Sequence, residues 1–247
     1  MKRLILLSIV FGLAIRATAR EKSVDERMAQ YGASVQERLA PLFAAAGVAY
    51  PPCKVTLIGL KAERELEVYA AGTNGEYHFI LSYPILAASG DLGPKLREGD
   101  LQVPEGLYRI ESLNPNSRFH LSLRINYPNE ADRAQARKDG RRKLGGDIMI
   151  HGNAVSIGCL AMGDAAAEEL FVLVARTGLR NTQVILSPVD FRVRRVPASK
   201  AGVPLWVDGL YGSIKNELSQ YKKKQNAEPA AAHPPAALRT GHPEGAR

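Results

Sequence analysis

The cleanest alternation in the chain runs over 119–126. Phe119, Leu121, Leu123 and Ile125 alternate with His120, Ser122, Arg124 and Asn126. A period of two predicts a strand with one apolar face and one polar face. The polar row reads equally as a half-exposed sheet surface or as the floor of a peptide-binding cleft. Three more β-prone runs, Val55–Leu60, 66–71 and 78–82, are separated by Glu63-Arg64-Glu65 and Thr73-Asn74-Gly75-Glu76. Those turn residues predict an antiparallel meander. Pro104-Glu105-Gly106 fits a turn with Pro second and Gly fourth, leading into a strand over 107–110. Val184, Ile185 and Leu186 mark a further core strand at 181–187.

Helical spacing appears around this body. Val24, Met28, Tyr31, Val35, Leu39 and Leu42 recur at steps of three and four, predicting an amphipathic helix over 23–46 that Pro41 and Gly47 fray or end. Tyr127-Pro128-Asn129 breaks the strand before a charged helix or excursion at 130–143. Asp164 is placed to N-cap a helix over 165–175, with Glu168 and Glu169 on the favourable side of its dipole and Gly178 at its end. Leu205, Trp206, Leu210, Ile214, Leu218 and Tyr221 predict a second amphipathic helix at 203–224. The fold class is mainly β with flanking helices, α+β. The chain divides into a helical segment at 20–50, a strand-rich body at 53–190, a helical extension at 191–224 and an Ala- and Pro-rich tail at 225–247, expected to be disordered.

Residues 1–19 read as a signal peptide. Lys2 and Arg3 precede the apolar stretch 4–15, and Ala17-Thr18-Ala19 has the small-residue pattern of a cleavage site. The stretch is short for a membrane span. The expectation is an exported protein of the periplasm or cell envelope, with no stable membrane insertion after cleavage. Export changes the meaning of the net charge of +8 and pI near 9.5. Basic residues concentrate at 133–143, 192–195 and 222–224. Each cluster reads first as solvated surface. The polyanions near an exported protein are wall peptides with free carboxylates or anionic lipid surfaces; no nucleic-acid partner is expected. Export also allows disulfides. Only Cys53 and Cys159 are present, and pairing them would consume the reactive candidate described next. A free Cys159 and a buried Cys53 are expected, Cys53 lying beside the apolar run at 55–60.

That candidate is the segment 148–162. An apolar strand-like run ends in His151-Gly152-Asn153, and a short loop continues to Ser156-Ile157-Gly158-Cys159. A thiol is a weak nucleophile until a base takes its proton, and imidazole suits that task near neutral pH. A loop that folds back brings the two residues face to face. Two Cys and five His, two of them in the tail, give no recognised metal-ligand spacing. No metal and no cofactor are expected.

The His-Gly and Ser-x-Gly-Cys elements resemble the catalytic motif of the YkuD-type L,D-transpeptidases, bacterial wall enzymes, and the short loop between them resembles the YafK-like branch. Val103-Pro104-Glu105-Gly106-Leu107-Tyr108-Arg109-Ile110 is similar to the family's Thr-Pro-x-Gly-x-Tyr/Phe-x-Ile signature, with Val103 in place of Thr. The resemblance implies an L,D-transpeptidase-like β-sandwich carrying the Cys loop, with Cys159 as nucleophile and His151 as its base. It also implies that a backbone carbonyl of the loop orients the His, ahead of Asp147.

Backbone N–H groups at Gly158 and Cys159 are the nearest oxyanion donors, and Ser156 is a supporting residue. Gly152, Asn153, His120 and Arg124 are candidate substrate contacts. Ile157 stands where many members carry a second His, and Ala161 where many carry Arg. The implied partners are peptidoglycan stem peptides. The YafK-like features imply hydrolysis, including release of a wall-linked lipoprotein. Cross-link formation and a non-catalytic wall-binding module are the other two readings.

Overall fold

The computed structural model describes residues 20–195 and 204–222. The signal-peptide assignment at 1–19 and the tail at 225–247 lie outside the described residues. Among these described residues, nine strands form one connected sheet in the order β3-β2-β1-β9-β5-β6-β7-β8-β4. They are β1 Val55–Leu60, β2 Glu65–Ala71, β3 Tyr77–Pro84, β4 Ala87–Ala88, β5 Gly106–Ser117, β6 His120–Ile125, β7 Met149–His151, β8 Leu160–Ala161 and β9 Thr182–Ser187. Among the described residues, four α-helices accompany them: α1 Val24–Ala45, α2 Glu130–Lys138, α3 Asp164–Thr177 and α4 Val207–Leu218.

The expected meander is β1-β2-β3, antiparallel throughout. β9 then joins β1 in parallel, and β5 in antiparallel, register. β5 is much longer than the apolar run at 107–110 suggests. Its first part pairs with β9 and its second part with β6. The extension, Glu111 to Ser117, is mostly polar and includes Pro115, so it carries no alternation to read. It is a strand because β6 supplies a partner.

β5 therefore joins two arms that enclose one core. Leu57 and Val68 of the first arm share a cluster with Leu121, Leu123 and Ile125 of β6, and with Leu170, Phe171 and Val174 of α3. Val35, Leu39 and Phe43 of α1 belong to the same cluster, so the N-terminal helix is part of the main core. The opposite face of the first arm packs Ile58, Tyr69 and Ile185 against Val207, Ile214 and Leu218 of α4.

Several local expectations change. α1 runs through Pro41 to Ala45, with buried Leu39 and Phe43 holding the turn on either side of the proline. α4 begins only at Val207. Leu205, expected on its apolar face, is 92% exposed because it precedes the helix. Cys53 is exposed, not buried, since it lies just outside β1, whose first residue is Val55; it and Cys159 are both free thiols.

The cluster 192–195 is not uniformly solvated. The Arg192 side chain is only 8% exposed, donating to Asp190 Oδ1 at 2.7 Å, Glu67 Oε2 at 2.6 Å and the Tyr69 hydroxyl at 2.8 Å. Removing this guanidinium takes away the cation that faces the buried Glu67 carboxylate. Arg192→Ala is expected to cost about 3–5 kcal/mol of stability, the usual result of breaking a buried pair by removing one partner. The shift in urea unfolding midpoint at unchanged slope measures it.

Candidate active site

The site lies on the face of β6, β7 and β8 that points away from the main core. Ile150 pairs with Leu123 and Leu160, and all three are core residues. Alternation sends their neighbours the other way. Ser122, His151 and Ala161 form one cross-strand row on that outer face. Arg124 and Met149 form the next row, continued by Cys159 immediately before β8. His151 and Cys159 are thus on the same side of adjacent parallel strands, two positions apart.

Each is held by its own partners. His151 is 2% exposed and its ring stacks on Phe119, with centroids 4.7 Å apart. Its Nδ1 lies 2.6 Å from the Gly152 carbonyl. A carbonyl can only accept, so the proton sits on Nδ1 and the lone pair on Nε2. The orienting acceptor is therefore a loop carbonyl. Asp147 instead pairs with Arg124 at 3.1 Å. The Cys159 thiol is half-buried and donates to the Asp147 carbonyl at 3.7 Å. The two side chains hydrogen-bond to these carbonyls and not to each other, an arrangement common before substrate tightens a site.

Burial pushes the His151 imidazole below its ordinary 6.5, and the bond to the Gly152 carbonyl partly opposes this. Burial also pushes the Cys159 thiol above its ordinary 9.0; the Met149 N–H and Lys95 oppose this, while Asp147 adds to it. Near neutral pH the pair is therefore a neutral thiol and a neutral imidazole, not a preformed ion pair. The base is ready to accept a proton when the sulfur attacks.

Ser156 organises the loop. Its hydroxyl donates to the Cys159 carbonyl at 2.6 Å and accepts from the N–H groups of Cys159 at 3.1 Å, Gly158 at 3.3 Å and Ser89 at 3.3 Å. The two N–H groups read from sequence as oxyanion donors are thus both directed at Ser156 in this conformation. Gly158 has φ of 118°, a geometry that favours glycine.

Gly152 is buried and structural. A Cβ there would lie 2.5 Å from Asp164 Oδ1 and 2.8 Å from the Phe119 carbonyl. Asn153 is exposed, with φ of 62°, and its N–H donates to Asp164 at 2.8 Å. Asp164 is consequently the first residue of α3 and ties down the Cys loop; Gly163, with φ of 79°, is the N-cap. His120 is drawn toward the helices, bonded to Glu168 at 2.8 Å and edge-on to Tyr31. It does not share the His151–Cys159 row. Arg124 does, bridging Glu111 and Asp147 at 3.1 Å each.

Sequence reading missed the segment 86–105. Leu86 N–H bonds to the Ala161 carbonyl, and Ser89 meets Ser156. Lys61 anchors the segment from below by donating to the Gly93 and Val103 carbonyls and to Glu105, all within 3.0 Å. Only the Pro104-Glu105-Gly106 turn signalled its end. Ile157 is 77% exposed at the loop tip, whereas Ala161 is fully buried. Among the described residues, no group of three or more His, Cys, Asp or Glu side chains is placed to hold a metal ion. No described helix is long and apolar enough to cross a membrane.

The model of the YkuD L,D-transpeptidase catalytic domain matches residues 55–189. The chain belongs to this family. The L,D-transpeptidase-like fold expected from the motif follows from that match. The matched region includes the strand-rich body, the Cys loop and α3 of this L,D-transpeptidase-family chain.

Over 133 residues it is 38% identical to a protein of Escherichia coli (strain K12) named "Putative L,D-transpeptidase YafK", covering 52% of this chain and 51% of that one. The same match is found in Escherichia coli O157:H7. The chain spans about half the length of these curated relatives. Among solved structures, the helical cell shape determining protein Pgp2 of Campylobacter jejuni is 22% identical, with 59% of this chain and 50% of that chain covered at a TM-score of 0.47. L,D-transpeptidase 1 of Mycobacterium tuberculosis is 15% identical, with 54% and 62% covered at a TM-score of 0.32.

Proposed function

We propose that this chain is an exported cysteine acyl-enzyme acting on the peptides of bacterial peptidoglycan. The observation that carries the reading is the placement of Cys159 and His151 on one face of adjacent strands, in a member of a family described as an L,D-transpeptidase catalytic domain. Diagonal neighbours on paired strands are about 7–8 Å apart at Cα, within reach of longer side chains.

In this mechanism the Cys159 thiol attacks a peptide carbonyl as His151 Nε2 takes its proton. The tetrahedral oxyanion needs N–H donors. Gly158 and Cys159 supply them when Ser156 yields the bonds it now accepts. The intermediate collapses to a thioester, and His151 returns the proton to the leaving amine. Water or an amine then attacks the thioester.

Hydrolysis is the favoured fate, including release of a wall-linked lipoprotein from its diaminopimelate. Ala161 is buried between the His151 position and Ala87 of β4, so no cation stands there to hold a substrate carboxylate. The family's description favours the second reading, cross-link formation. Product analysis separates them. With tetrapeptide muropeptides, and separately with a lipoprotein-linked muropeptide, shortened or released species are expected to outnumber dimers by mass. Predominant new dimers joined between two diaminopimelate residues would make the chain a cross-linking enzyme.

A further inference from the structure

The outer face that carries Cys159 continues across the sheet into a cleft. From Cys159 it passes through Met149 of β7 to Arg124 of β6, in direct register. On β5 it reaches Glu111 and Arg109, which flank the core residue Ile110 opposite Ile125. Arg109 pairs in turn with Gln183 of β9. Asn126 locks this floor: its side chain accepts from the Arg109 N–H at 2.8 Å, and its own N–H donates to the Arg109 carbonyl at 3.0 Å. α2 and the turn at Leu179–Asn181 form the walls. The cleft encloses about 1290 Å³, more than the roughly 300–1,000 Å³ typical of a site for one small molecule.

Its charge is one-sided. Lys54, Arg109, Arg124, Arg133 and Arg180 line it, against Glu111 and Glu130. Arg124 already holds Glu111 and Asp147. Among the described residues, none of the other four cations has a carboxylate within ion-pair distance. Cations lining a concave surface sum their fields and concentrate anions there. A bilayer presents its charges on a broad, gently curved surface and does not enter a walled cleft. An extended chain bearing several carboxylates does.

We infer that this cleft is the docking groove for the carboxylate-bearing portion of the wall peptide whose acyl group passes to Cys159. The inference rests on the function proposed above. It assigns Arg109, Arg133 and Arg180 as substrate-binding residues and Arg124 as the link between groove and nucleophile. Arg124 touches the groove on one side and, through Asp147, the carbonyl-bearing residue that the thiol contacts on the other.

The test compares the full chain with its Arg109→Gln/Arg133→Gln/Arg180→Gln variant on a purified tetrapeptide muropeptide and on the same peptide with its carboxylates amidated. The three substitutions are at exposed positions, and iodoacetamide labelling of Cys159 should proceed at the same rate in both proteins. With the free peptide, the variant should show KM raised roughly tenfold, as three exposed charge contacts allow, with the change confined to KM. Amidation should impose a similar loss on the wild type and little further loss on the variant. Added salt should weaken the wild type more than the variant.

Equal KM values for the two proteins would overturn the groove alone. So would an unchanged KM accompanied by loss of binding to anionic-lipid vesicles, which would make the cleft a lipid contact. A wild-type chain that neither binds nor turns over any muropeptide would overturn the proposed function and the groove together.

Discussion

Cys159→Ala should leave no measurable turnover of muropeptides while the fold, read by unfolding midpoint, stays near wild type. The thiol is half-buried just before a two-residue strand, and its hydrogen bonds are to backbone only, a long one to the Asp147 carbonyl and one from the Met149 N–H. Truncating it removes little packing. It removes the only cysteine of the Cys loop, because Cys53 lies before β1 in a different part of the chain. Cys159→Ser should be nearly as inactive, since a hydroxyl is far harder to ionise than a thiol. Steady-state rates of the two variants, measured on the same muropeptide, check both statements. Retention of wild-type activity by either would remove the sulfur from the mechanism.

His151→Ala should slow acylation by about 10²–10⁴-fold, the range for losing a positioned general base, equivalent to about 3–5 kcal/mol of barrier. The pH dependence distinguishes loss of a base from loss of a structural ring. Burial lowers the His151 value, so in the wild type the imidazole stays unprotonated, and competent, down to below its ordinary 6.5. Activity should hold as pH falls through 7 and decline only below that point. In the variant the sulfur must ionise unaided. Burial raises its value above 9.0, so the residual rate should still be climbing as pH passes 9. His151→Gln keeps a polar side chain against Phe119 without a base of useful pKa, and should show the same climbing profile. A flat profile in both variants would assign His151 a packing role.

Much of this arrangement is legible in the chain. The alternation at 119–126 gave the strand and, from Leu121 to Ile125, the right faces, because β6 is covered by the core on one side and faces the site on the other. Phe119 and His120 depart from it, Phe119 stacking on His151 and His120 turning to Glu168. The three meander strands were equally clear, separated by two turns with their own chemistry. The Cys loop was legible because glycines and reactive side chains sit close together in sequence.

What stayed hidden depends on long-range partners. β5 beyond Ile110 is polar and takes its strand form from β6. Arg192 looks like one more surface cation, until Glu67 and Asp190 are found facing it. Asp164 has the residue type of an N-cap, yet its carboxylate is claimed by the Asn153 N–H eleven residues earlier. Ser156 could be named as a supporting residue, but not as the acceptor that holds the Gly158 and Cys159 N–H groups. The cationic cleft is dispersed over Lys54, Arg109, Arg124, Arg133 and Arg180, with no local motif to mark it.

The central claim is a covalent acyl group on Cys159. The most direct measurement is intact-protein and peptide mass spectrometry after exposure to a carbapenem, an acyl donor whose ring-opened product leaves slowly. The mechanism predicts one added acyl group, located on the peptide containing Cys159, absent from Cys159→Ala and formed far more slowly by His151→Ala. An unmodified wild-type protein, or an adduct on Cys53 alone, would contradict it.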